Sequence, residues 1–125
     1  MHDPAFQASV SAIEASLRAA TLAAETGDAA RVGAELVRAS LTIGVQMGAY
    51  KTRLGASFEL SPVGRTLNRL LVTLQGVAVQ AFARAEEIHD IQRARFHMSD
   101  AAERQERQER HTTYADANTP DEYLP

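Results

Sequence analysis

The sequence predicts an all-α protein, a three-helix antiparallel bundle with a long C-terminal helix extending beyond the core and a polar tail. Three observations carry this prediction. Apolar residues recur at spacings of three and four, the period of a helix face, and not at two. Turn signals cluster at Gly27-Asp28 and again over 55–62. From Ser61-Pro62 to about Arg110 there is no proline, and the glycines are Gly64 and Gly76 alone.

The first helix is expected over about 4–26. Asp3 supplies an N-cap oxygen and Pro4 occupies the first helical position, where its missing N–H costs nothing. Phe6, Val10, Ile13, Leu17, Ala20 and Ala24 then form a narrow seam of the kind that packs helices side by side. Gly27 ends the helix as a left-handed residue, and Asp28 caps the next.

The second helix is expected over 28–54 and is apolar on more than one side. Val32, Leu36, Ser40, Ile43, Met47, Tyr50 and Leu54 form one stripe; Val37, Leu41, Gly44, Val45 and Gly48 form another. Ser40, Gly44 and Gly48 follow at intervals of four and make a ridge of small residues, a candidate helix-packing interface. A mid-helix glycine costs about 1 kcal/mol relative to alanine, so the close approach of another backbone is the expected compensation.

Gly55-Ala56-Ser57-Phe58-Glu59-Leu60 is the main break, with Phe58 or Leu60 folding back beneath it. Ser61 as N-cap and Pro62 open a third helix over 62–98, whose seam is Val63, Leu67, Leu70, Leu74, Val77, Ala81, Ile88 and Ile91. The bundle therefore occupies 1–98. A charged helical extension follows over 99–111, stabilised by the acid-before-base pairs Asp100/Arg104, Glu103/Arg107 and Glu106/Arg110 at about 0.2–0.5 kcal/mol each. Residues 112–125 form an acidic flexible tail in which Tyr114, Tyr123 and Leu124 are candidate docking positions and Asp116, Asp121 and Glu122 carry the charge.

At 125 residues, 45% hydrophobic but 6% aromatic, the chain makes one domain with an alanine-rich and thin core. Such a core predicts a homo-oligomer. The chain has no cysteine, so disulfides and thiolate ligands are excluded. Without a signal-like start or an apolar run of about 20 residues, the expectation is a cytoplasmic protein with no membrane partner. Arg outnumbers Lys twelve to one among the 13 basic residues, a bias associated with GC-rich bacterial or phage genes. The net charge of -3 is unevenly placed, with Lys51, Arg53, Arg65 and Arg69 set against Glu59 alone across 51–69.

The stretch Ser57-Phe58-Glu59-Leu60-Ser61-Pro62-Val63-Gly64-Arg65-Thr66-Leu67-Asn68-Arg69-Leu70 is the most distinctive in the chain. It resembles the turn and recognition helix of helix-turn-helix proteins. It also resembles the Phe-x-Leu-Thr/Ser-Pro-x-x-Arg stretch of some phage small terminase subunits. Both resemblances imply nucleic-acid binding; Arg65, Thr66, Asn68 and Arg69 stand at a helix N-terminus whose dipole and free N–H groups favour anions, and Lys51 and Arg53 of the same basic stretch complete the candidate set Lys51, Arg53, Arg65, Asn68 and Arg69. The match covers about a dozen residues, and the helix that follows is far longer than a recognition helix.

Other chemistry is sparse. Glu86 and His89 stand at the Glu-x-x-His spacing of ferritin-like ligands, which a dimer would have to complete with Glu14, Glu25 or Glu35. No Ser-His-Asp set, phosphate loop or zinc pattern can be assembled, so no catalytic residue, metal ligand set or cofactor is assigned. The leading expectation is a non-enzymatic assembly, adaptor or chaperone-like module that binds protein chains of unknown identity by helix packing. Nucleic-acid binding is the chief alternative, and a carboxylate/His metal bundle the third.

Overall fold

A computed structural model describes the backbone of residues 3–123 and the side chains of residues 3–110. It is all-α: α1 spans Pro4–Glu25, α2 Ala29–Leu54 and α3 Pro62–Tyr123, with a 3-10 turn at Gly55–Leu60 between α2 and α3. The chain divides into two compact units, Met1–His89 and Asp90–Pro125.

In the first unit each helix begins where a local cap can satisfy its free N–H groups. The Asp3 carboxylate accepts from the Ala5 N–H at 2.9 Å, and Asp28 accepts from the Arg31 N–H at 3.0 Å. Gly27 ends α1 in the left-handed region at φ 74°, a conformation that glycine adopts without a Cβ clash. Gly55 closes α2 at φ 57°.

The three helices pack against one another through a single apolar core. Ile13, Ala20, Val32, Ala39, Ile43, Phe58, Leu67 and Ala85 are almost fully buried, and Val10, Met47, Tyr50, Val63, Leu74 and Val77 close around them. Cross-helix contacts set the direction of the pairing. Tyr50 donates to Asp3 and Gln46 donates to Ser9, so partners on α1 rise in number as those on α2 fall. On the other side Arg84 of α3 binds Glu25 at the end of α1, while Pro62 and Val63 share a hollow with Asp3 and Phe6 at its start. Burial of a large apolar side chain contributes about 1.5–3 kcal/mol, and the five largest fully buried ones are Phe58, Ile13, Ile43, Leu67 and Val32.

The turn before α3 is tightly built. Phe58 folds inward to 1% exposure while Leu60 remains 75% exposed, which settles the choice between them. Ser61 donates its hydroxyl to the Phe58 carbonyl at 2.6 Å and accepts from the Gly64 N–H at 3.0 Å. Gly64 lies so close to this turn that a Cβ there would fall 1.9 Å from the Phe58 carbonyl oxygen.

In the second unit Arg107 pairs with Glu103 at 3.6 Å, Arg110 with Glu106 at 2.6 Å, and Arg104 with Asp100. These are the three pairs expected from the spacing. The described side chains here are exposed apart from a half-buried Asp100, and they include Phe96 and Met98. The helix bounds run to Tyr123, whereas the sequence predicts a flexible tail from 112. The side chains of Tyr114, Tyr123 and Leu124, the candidate docking positions, lie outside the described residues.

Candidate functional site

Two surfaces of the first unit merit consideration: the outer face of α2 and the end of the bundle where α2 stops and α3 starts.

On α2 the buried line is Val32, Leu36, Ala39 and Ile43. Ser40, predicted on the inward stripe, is exposed, and Ala39 takes the core position. The reason is rotational: at about 100° per residue, Ala39 lies closer to the mean direction of Val32, Leu36 and Ile43 than Ser40 does. Opposite this line stand Val37 at 57% exposure, Leu41 at 65% and Val45 at 68%. Beside them runs the small ridge of Ser40, Gly44 and Gly48, all exposed. A Cβ built on Gly44 or Gly48 meets nothing within 4 Å, so no described helix side chain or backbone makes the close approach expected there. At the N-terminal end of α2, Phe82 of α3 comes within 3.7 Å of a Cβ on Gly33 and keeps 43% of its own surface exposed.

At the bundle end, the five residues predicted to bind anions share a neighbourhood in sequence but not one task. The Lys51 ammonium sits over the Phe58 ring, 5.5 Å from its centroid, and the Arg53 guanidinium sits over Tyr50 at 5.1 Å. Both are cation–π contacts. Asn68 donates to Glu59 at 3.2 Å. Arg65 and Arg69 are exposed and form no ion pair with another described residue.

Beside them is a hollow of about 680 Å³ whose lining includes Asp3, Phe6, Tyr50, Arg53, Val63 and Thr66. The one carboxylate among its described lining residues, Asp3, is already committed, one oxygen to the Ala5 N–H and the other to the Tyr50 hydroxyl at 2.9 Å. Those two donors, Tyr50 first, hold the Asp3 carboxyl below its usual range. The same bond pushes the Tyr50 phenol up, because ionising it would break the bond and set two negative charges together. Tyr50 is further fixed by an edge-to-face contact with Phe6, ring centroids 5.5 Å apart. Asp3 thus acts as a helix cap and a tie between α1 and α2, and it has no free oxygen for acid–base work.

Glu25, a candidate metal ligand, is bound by Arg84 through both oxygens at 3.0 and 3.1 Å. This contact holds its carboxyl below the usual range. Glu35 is paired with Arg38 at 3.8 Å. Glu14, Glu86 and His89 are exposed, and among the described residues no three His, Cys, Asp or Glu side chains come together as a metal ion would require.

No described helix is long and apolar enough to cross a membrane. Compared with known proteins, the chain matches no family model, no curated protein and no solved structure, so its own residues carry the functional reading.

Proposed function

We propose that this chain is a non-enzymatic helical assembly module, an adaptor or chaperone-like unit that works by packing helix faces against protein chains. One observation carries the reading. The outer face of α2 presents exposed Val37, Leu41 and Val45 next to two glycines that no described residue covers. Contiguous exposed apolar surface of this kind marks protein interaction sites more often than isolated exposed side chains do. The mid-helix glycines, which cost helix stability, have their ordinary rationale in the close approach of a further helix.

The exposed Arg65 and Arg69 support a second reading, binding to a nucleic-acid backbone. The two readings separate by ionic strength. Helix packing through apolar surface is nearly indifferent to salt, whereas phosphate contacts give an affinity that falls linearly on a log–log salt plot. The assembly reading predicts self-association that persists across a salt series and no saturable binding to a labelled DNA duplex at low salt. Saturable duplex binding that weakens steeply with salt and is lost in Arg65→Ala/Arg69→Ala would replace it with the second reading.

A further inference from the structure

We propose that the outer face of α3, between Arg65 and Glu86, pairs with the same face of a second copy of this chain, the two helices running antiparallel. The contact is separate from the α2 face and independent of what occupies it.

The face follows from the register of α3. Its buried line passes through Leu67, Leu70, Ala81 and Ala85. Almost opposite, Arg69, Val72, Gly76, Val79, Ala83 and Glu86 recur at alternating spacings of three and four, and all are exposed. That alternation is the heptad spacing, whose stripe drifts slowly around the helix and suits a neighbour crossing at about 20°. Val72 is 67% and Val79 73% exposed, and a Cβ on Gly76 meets nothing within 4 Å, so no described residue covers the middle of the stripe.

Charge identifies the occupant. At one end of the stripe Arg69, with Arg65 a turn before it, forms no ion pair with a described residue, and at the other end neither does Glu86. A complementary partner offers an acid opposite Arg69 and a cation opposite Glu86, about 26 Å apart. The stripe itself does so when reversed. In an antiparallel pair about a two-fold axis at the level of Val77 and Ala78, residues equally far from that level face each other, and each contact occurs twice. Arg69 then meets Glu86, Val72 meets Ala83 and Gly76 meets Val79. Each valine faces a small residue, and each charge faces its opposite.

The same charges fix the direction, because a parallel pair would set Arg69 on Arg69 and Glu86 on Glu86. Thr73, Gln75, Gln80 and Phe82, which flank the middle of the stripe, are uncharged and add no repulsion. Exposed ion pairs contribute little affinity, so the charges orient the contact and the valines carry it.

The test is site-directed crosslinking, which suits a chain that has no cysteine of its own. Val72→Cys and Ala83→Cys chains are treated with a short bis-maleimide, each alone and as an equimolar mixture, with circular dichroism as a check on folding. Both positions are exposed, so the fold is retained. In the antiparallel pair a thiol at position 72 lies beside one at position 83, whereas two thiols at position 72 stand about 16 Å apart along the axis, beyond the reagent. The mixture is expected to give several times more covalent dimer than either variant alone. Adding Arg69→Glu to both chains lowers that yield several-fold, and adding Glu86→Arg as well restores it. Crosslinking by Val72→Cys alone that equals the mixture, no crosslinking in any sample, or a charge exchange that fails to recover the yield overturns the pairing. Assembly through α2 would survive each of these results, and Arg65 and Arg69 would be left to an anionic occupant such as a nucleic-acid backbone.

Discussion

Tyr50 ties together two residues 47 positions apart in the chain, and it does so through one hydroxyl. Because Asp3 is also the cap of α1, the bond joins the start of one helix to the last turn of the next. The lowered Asp3 pKa gives this contact a pH signature. A carboxyl depressed in the folded state contributes stability above its ordinary value of 3.8, and that contribution is lost as pH falls through the folded value. Tyr50→Phe keeps the ring against Phe6 and removes the donor. The Asp3 pKa is expected to rise toward its ordinary value in an NMR titration of the side-chain carboxyl, and the acid limb of the stability profile is expected to flatten. An unchanged Asp3 pKa would mean that the Ala5 N–H and the surrounding charges do the work instead.

Among the elements, the start of α3 shows how unlike two glycines in one helix can be. Gly64→Ala forces a Cβ onto backbone, 1.9 Å from the Phe58 oxygen and 2.9 Å from its carbon, so α3 must shift from the 3-10 turn. The expected loss is at least about 2 kcal/mol. Gly76→Ala meets nothing within 4 Å and is expected to gain about 1 kcal/mol from helix propensity. Denaturant unfolding of the two variants should move the midpoint in opposite directions; movement in the same direction would contradict the packing described for the turn.

The same element shows what the sequence could and could not reveal. Asp3, Gly27, Asp28 and Ser61 were legible as caps because a cap is a local arrangement of a few consecutive residues. The core seams were legible from their period, apart from Ser40, where two stripes share a helix and the choice of face belongs to the packed bundle, and from Leu54 and Ile91, which continue the period but are exposed. The need for glycine at 64 was not legible, because it arises from the path of the backbone through a 3-10 turn. The ties Tyr50 to Asp3 and Arg84 to Glu25 were equally hidden, since each depends on how three helices are set side by side. Of the candidate site, the small ridge could be read from its spacing of four. That no described residue packs against Gly44 or Gly48 could not.

For the whole molecule, the core is sufficient to order three helices but leaves the outer face of α2 uncovered. The aromatic ring of Phe58 and the aliphatic chains of Ile13, Ile43 and Leu67 fill the interior, while Val37, Leu41 and Val45 remain in water. Such surface favours association over a lone monomer. The charged groups tell the same story from the other side. Asp3, Glu25, Lys51, Arg53 and Arg84 are engaged in contacts within the fold and do not compete with that apolar face for a partner.

The measurement that tests self-assembly most directly is the absolute mass of the purified full chain by light scattering over a concentration series, at low and at high salt. Assembly through the α2 face predicts a mass above that of one chain, approached as concentration rises and unaffected by added salt. A mass equal to one chain at every concentration would contradict it.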